Sequence, residues 1–357
     1  MTITRDDIRA AVGAGKISEA QATAIVSLSD ARRGARENLD GLDEPFELFK
    51  GFNEIFIVVG LWILYAGWSG LTGFSSFMTS NPEGPLFIFA LIGMATSCAL
   101  AAYFTVRRRM IAPSITLAIM FALSAMQAGF VLGTFITDDQ QGTVLIASLF
   151  CAATLLVYWL LFRVPFAMFL IALATYASAF ALTSLGGAEL DSYQDVFLLS
   201  ANASFAWITL ALGLIGLTVA LRFDMSDPHR VTRRASQGFW LHVIAAPAIV
   251  NTVALTLFQQ GGVGAYAILL AFLTLMALFA IVIDRRSFLI SGIGYVVALV
   301  TLVAEDGTWA FILLLGVFLV ALGAFWETIR GGIMAGLPAF PGKDRLPPWT
   351  RPRELQA

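Results

Sequence analysis

The run from Thr143 to Leu185, TVLIASLFCAATLLVYWLLFRVPFAMFLIALATYASAFALTSL, holds one charged residue, Arg163, and is otherwise almost unbroken in apolar character. As a single helix it would extend about 65 Å at 1.5 Å per residue, roughly twice the 30 Å hydrocarbon thickness of a bilayer. It must therefore fold back. Within the run, Arg163-Val164-Pro165 combines a charge suited to an interface with a proline suited to a helix start. The same reasoning divides 263–304 at Asp284-Arg285-Arg286.

Composition agrees with this reading across the chain. Apolar residues make up 58% and charged residues 13%, against about half and a quarter in soluble domains. Ten blocks are long enough to span: 54–74, 85–106, 111–134, 143–162, 164–185, 196–221, 238–258, 263–283, 287–304 and 308–327. The fold class expected is all-α, a polytopic transmembrane bundle of about ten spans. Three regions follow: a cytoplasmic helical hairpin and linker at 1–45, the bundle at 46–330, and a Pro-rich cytoplasmic tail at 331–357.

With the spans so placed, all 22 Lys and Arg fall on the side of the N-terminus. The opposite loops carry Glu83, Asp138, Asp139, Glu189, Asp191, Asp195, Glu305 and Asp306 and no base. Basic residues stay on the cytoplasmic side, so both termini are expected there. The first fifty residues lack the apolar core of a secretion signal.

The N-terminal hairpin is read from two capping boxes, Thr4-Arg5-Asp6-Asp7 and Ser18-Glu19-Ala20-Gln21, with Gly13 and Gly15 ending the first helix. Gly13-Ala14-Gly15-Lys16 is no phosphate loop, because Ala10 and Ile17 stand where Gly and Ser or Thr are required. A DNA-binding hairpin is disfavoured too: Arg32, Arg33 and Arg36 are matched by Asp30, Glu37 and Asp40. No nucleic-acid partner is expected at a net charge of −2. Residues 45–53 read as a short interfacial helix. Cys98 and Cys151 form no metal or redox pair, and no cofactor is expected.

Ionisable groups inside spans are costly and mark function by default. Here Glu54, Asp284 and Glu327 fall at span ends and read as topological punctuation, with Arg330 a surface partner for Glu327. The seventh span carries the candidate site: His242, then Pro247, whose ring removes a helix hydrogen bond and favours a kink or opened turn, then Asn251. Nine residues separate His242 from Asn251, which puts them on opposite faces. The bland reading is a packing kink with a histidine reaching toward the cytoplasmic interface. Gln127, Tyr176, Asn202 and Tyr295 read as interhelical hydrogen-bonding residues. Gly60, Gly67, Gly70, Gly213, Gly216, Gly292 and Gly294 read as sites of close helix approach.

Leu161-Phe162-Arg163-Val164-Pro165-Phe166 and Ile283-Asp284-Arg285-Arg286-Ser287-Phe288 are alike at an offset of 122, suggesting a parallel repeat of 85–185 in 196–304. The segments Phe239–Pro247, Asp284–Gly292, Gly323–Trp326 and Leu346-Pro347-Pro348 resemble a group of uncharacterised proteobacterial multi-pass integral membrane proteins. That resemblance implies a bacterial inner-membrane location and brings no activity or functional residue.

Two functions compete. A transporter-like role, for a small molecule or ion, would use the seventh span. A scaffold would bind a protein partner through the cytoplasmic N-terminal helices. An enzyme is not expected, since no nucleophile, acid pair or metal set gathers in the spans. Beyond the last span, Pro338, Pro341, Pro347, Pro348 and Pro352 favour an extended, untethered tail.

Overall fold

The computed structural model describes residues 11–18, 21–22, 25, 52–190, 192–199, 204–228, 233–303 and 308–349, and among them no strand occurs. Ten helices follow the ten apolar blocks: α1 (Phe52–Phe77), α2 (Glu83–Ala101, continued by a π turn Ala102–Arg107), α3 (Ala112–Ile136), α4 (Gln140–Phe162), α5 (Ala167–Leu185), α6 (Ser204–Met225), α7 (Arg233–Gln260), α8 (Gly262–Ile283), α9 (Ser287–Val303) and α10 (Thr308–Ala324). An eleventh, α11 (Trp326–Gly336), lies beyond them. Helices α1 to α8 are each long and apolar enough to cross a membrane. Helices α9 and α10 are described over 17 residues each. The fold is that of a helical membrane bundle, in which each segment satisfies its own backbone.

The long apolar run does reverse at Arg163. Its N–H closes α4 on Trp159 O at 2.8 Å, and the residue itself is left-handed (φ 53°, ψ 35°) with its guanidinium 5.0 Å over the Trp159 ring. Asp284 ends α8 in the same conformation (φ 59°, ψ 50°). Arg109, after α2, shares it. These turns use charged residues where glycine is the usual choice.

Two hub helices organise the packing. Helix α3 contacts α1, α2, α4 and α5, while α7 contacts α5, α6, α8 and α9. Around α3 and α4 an apolar core gathers Leu117, Met120, Phe121, Leu155 and Tyr158; another around α7 and α8 gathers Val250, Leu269, Leu273 and Phe288. The two regions meet where Phe166, at the N-cap of α5, and Phe169 within it approach the Trp240 ring at 4.6 and 6.0 Å.

The closest backbone-to-backbone approach at a glycine between helices lies at two glycines the sequence reading passed over. A Cβ at Gly129 would stand 2.8 Å from Ala147 Cα, and one at Gly133 2.9 Å from Thr143 Cα, so α3 and α4 meet backbone to backbone. Gly213 serves α6 and α7 in the expected way, with Ala248 Cβ 3.0 Å from where its own Cβ would be. Gly60, Gly67, Gly70 and Gly294 face open space, which corrects their assignment.

Several expected boundaries shift. The sixth block begins at Ser204, not 196, because Ser192 and Asp195 cap a short 3-10 turn at Tyr193–Val196 and Leu199 N–H is held by Thr256 Oγ1 at 2.9 Å. It also runs on to Met225. The block 308–327 breaks at Phe325, and the boundary drawn at 330 falls inside α11. The tail is not untethered as far as Trp349: the Arg330 guanidinium donates to Pro347 O (2.7 Å) and Pro348 O (2.8 Å), Lys343 Nζ to Leu337 O (2.7 Å), and Leu346 is buried. Extended proline-rich backbone leaves its carbonyls unpaired, which is what a guanidinium needs. Near the N-terminus, Ser18 and Gln21 form the reciprocal capping box, with Gln21 N–H on Ser18 Oγ and Ser18 N–H on Gln21 Oε1. The first box and the interfacial helix at 45–53 lie largely outside the described residues.

Candidate functional site

A closed cluster of charges forms where the ends of α6 and α7 meet the turn between α8 and α9. Helix α6 puts Gly213, Ala220 and Asp224 on one buried face, at the 7 and 4 spacing that aligns side chains along a helix. Opposite stands Gly238 of α7, where a Cβ would be 2.5 Å from Asp224 Oδ1 and 3.1 Å from Ala220 O. The missing side chain makes room for the carboxylate. One turn on, His242 brings Nε2 within 2.8 Å of Asp224 Oδ2. An ionised carboxylate can only accept, so Nε2 carries the proton in this contact.

Arg285 closes the cluster from the α8–α9 turn. Its Nη2 donates to Asp224 Oδ1 (2.5 Å) and to Ala235 O (3.0 Å), and its Nε to Asp224 Oδ2 (3.1 Å). This fork suits guanidinium and carboxylate. His242 is 0%, Arg285 1% and Asp224 4% exposed. Such desolvation is tolerable because the charges cancel locally. Phe239 flanks Arg285, and the Phe288 ring stands edge-on to His242.

The same turn faces a second cluster with its preceding residue. Asp284 Oδ1 accepts the Trp326 indole N–H at 2.6 Å and lies 3.9 Å from Arg330 Nε. Arg330 Nε also donates to Ile281 O at 3.0 Å, satisfying a carbonyl of the last turn of α8. The break at Phe325 lets Trp326 turn inward. Arg286 lies 5.2 Å over the Trp326 ring. Three consecutive residues thus tie α6, α7, α8 and α11 together, and Arg330 joins the tail to them.

The sequence candidates part company here. His242 does not reach out to solvent; it is fully buried in the ion cluster. Pro247 sits in an α7 that stays helical from Arg233 to Gln260 without an opened turn. Asn251 is half-buried and takes no part in the cluster. Gln127 Nε2 does bridge to Leu86 O (3.1 Å) and Tyr176 Oη to Thr209 O (3.3 Å), and Tyr295 packs 6.5 Å from Phe258. Asn202 lies outside the described residues.

Asp284 and Glu54 also need correction, for neither is reached by water. Asp284 is 1% exposed, and Glu54 caps α3 from α1 by accepting Ala112 N–H at 3.1 Å. Arg330 is buried and not a surface partner. Arg285 was missed as a site residue because it was read as marking a turn, Arg330 because it was read as a surface partner of Glu327, and Asp224 because it lies past the expected end of the sixth block. The available signal was Ala220 and Asp224 continuing the buried stripe of α6 past its expected end.

Chemically, the cluster holds an anion between a guanidinium and an imidazole, sealed from solvent. Among the described residues no three His, Cys, Asp or Glu side chains gather to hold a metal. No protein-family model, curated protein or solved structure matches the chain.

Proposed function

We propose that this chain is a scaffold of the bacterial inner membrane, with ten spans and both termini cytoplasmic, that binds a protein partner at its inner face and carries no solute through its interior. The charge partition of the loops supports the orientation, and the resemblance to proteobacterial membrane proteins supports the address. The spacing of α4 and α5 in α8 and α9 supports a parallel repeat: the helix starts 140 and 167 recur at 262 and 287.

The observation that favours a scaffold over a transporter is the closed seam around Pro247. Ala245, Ala246, Ala248, Ile249, Val250 and Ala254 are buried there, and Gly213 lets α6 come close. Two hydroxyls of α7 donate to their own helix: Thr252 to Ala248 O (2.6 Å) and Thr256 to Thr252 O (2.7 Å). Polar side chains and charges collect at the inner end, where the α8–α9 turn and the docked tail form a surface built on buried arginines.

The reading is tested by placing single cysteines in a chain whose Cys98 and Cys151 are replaced by Ala. A water-soluble maleimide should label Gly187→Cys in native membranes, and Ala248→Cys only after denaturation. Labelling of Ala248→Cys at a comparable rate without denaturant would reveal a water path and favour transport. A photocrosslinker at the exposed Phe340 should capture a discrete protein; adducts with lipid alone would contradict the partner.

A further inference from the structure

We infer that the outward face of α6 binds one anionic phospholipid, with an acyl chain along Leu214, Ile215, Thr218 and Val219 and the phosphate on Arg222. These five residues line an open groove of ≈ 290 Å³. Their spacing places them on one helix face, opposite the face of Gly213, Ala220 and Asp224 that meets α7. From Leu214 to Arg222 the strip is about 12 Å long, matching a stretch of acyl chain below a headgroup.

The strip is hydrocarbon throughout. Leu214, Ile215 and Val219 are 49%, 58% and 39% exposed, and Thr218 turns its hydroxyl onto Leu214 O at 2.8 Å. At the mouth, Arg222 is the basic residue of the last turn of α6. It makes no ion pair or side-chain hydrogen bond among the described residues. Nearby carboxylates do not compete for it, since Asp224 and Asp227 are buried and Asp224 is held by Arg285 and His242. Arg163, by contrast, lies on Trp159, and Arg330 is held by backbone carbonyls. A planar guanidinium above an apolar groove suits a phosphate diester carrying no cation of its own. A zwitterionic headgroup would bring an ammonium to an already positive site. This inference stands apart from the scaffold reading, because it concerns the lipid-facing side of the bundle.

The test is a native mass-spectrometric titration of the full-length protein with phosphatidylglycerol and phosphatidylcholine of identical chains, and with inorganic phosphate alone. One phosphatidylglycerol should bind in preference to phosphatidylcholine. Arg222→Gln should weaken it about fivefold, as expected for one basic residue at an anionic headgroup. Leu214→Trp, which fills the groove, should weaken both lipids, and Arg107→Gln should weaken neither. Equal affinity of the two lipids, an unchanged preference in Arg222→Gln, an equal loss in Arg107→Gln, or displacement by millimolar phosphate would each overturn the site.

Discussion

The stretches α2–α5 and α6–α9 each run through four successive helices yet fill corresponding ends with opposite chemistry. In the first, Met120 and Phe121 of α3 pack with Leu117, Leu155 and Tyr158. In the second, the position 121 or 122 residues later in α7 is His242, bound to Asp224 and Arg285. One end is closed by dispersion and apolar burial, the other by a self-neutralising ion cluster. The comparison teaches that helix succession does not dictate the filling. A charge is accommodated wherever an adjacent glycine, here Gly238, gives the carboxylate room and a turn delivers its counter-ion.

The largest way to break the comparison is to strand one charge. Arg285→Met leaves Asp224 buried without its guanidinium partner, and should cost about 3–5 kcal/mol in unfolding measured in lipid nanodiscs. Met120→Ala on the apolar side should cost about 2–3 kcal/mol, and a cost above that of Arg285→Met would reverse the ranking.

Glycine substitutions sharpen the contrast. Gly129→Ala pushes a Cβ against the backbone of Ala147, whereas Gly238→Ala pushes one against the carboxylate of Asp224. Each should cost about 1–3 kcal/mol, Gly129→Ala the more, because backbone yields less than a side chain. For the second stretch, Gly238→Ala combined with Asp224→Asn and Arg285→Met would show whether the clash or the charge dominates, by the deviation from additivity.

The tail belongs to the ionic half. Arg330→Gln removes charged donors from Pro347 O, Pro348 O and Ile281 O, and tryptic cleavage after Lys343 and Arg345 should rise roughly tenfold, the consequence of losing about 1.4 kcal/mol. Unchanged cleavage would mean that the tail is held by Leu346 and Trp349 instead. The smallest effect is expected at Asn251, half-buried and outside the cluster. Asn251→Ala should change stability by about 0.6 kcal/mol or less, and a larger loss would restore it as a site residue.

The helices were readable because an apolar run longer than a bilayer must turn, and Arg163 marks where. The ends of α6 and α10 were less readable. Leu221-Arg222-Phe223-Asp224-Met225 looks like a loop when charge is taken as a sign of water, yet Asp224 has its partner 61 residues away in Arg285. Glu54 likewise acts on Ala112, 58 residues on. A single sequence displays the cost of a charge, and its compensation lies in tertiary contacts that local spacing does not contain. His242 stood out because it is one of two histidines, but its role depended on Gly238, which carries no local signal, and on Arg285, whose local signal was only that of a turn. The tail was misjudged for a similar reason: prolines forbid helix, and they do not forbid docking.

The most direct measurement compares unfolding of Arg285→Met with that of the triple variant Asp224→Leu, His242→Phe, Arg285→Met, which gives the second stretch an apolar end like the corresponding one of the first. If the cluster serves to close the bundle, the triple variant should recover to within about 1 kcal/mol of the natural chain or exceed it, with the seam at Ala248 still closed to water-soluble maleimide. A triple variant as unstable as Arg285→Met alone, or one that opens Ala248 to the reagent, would contradict the account.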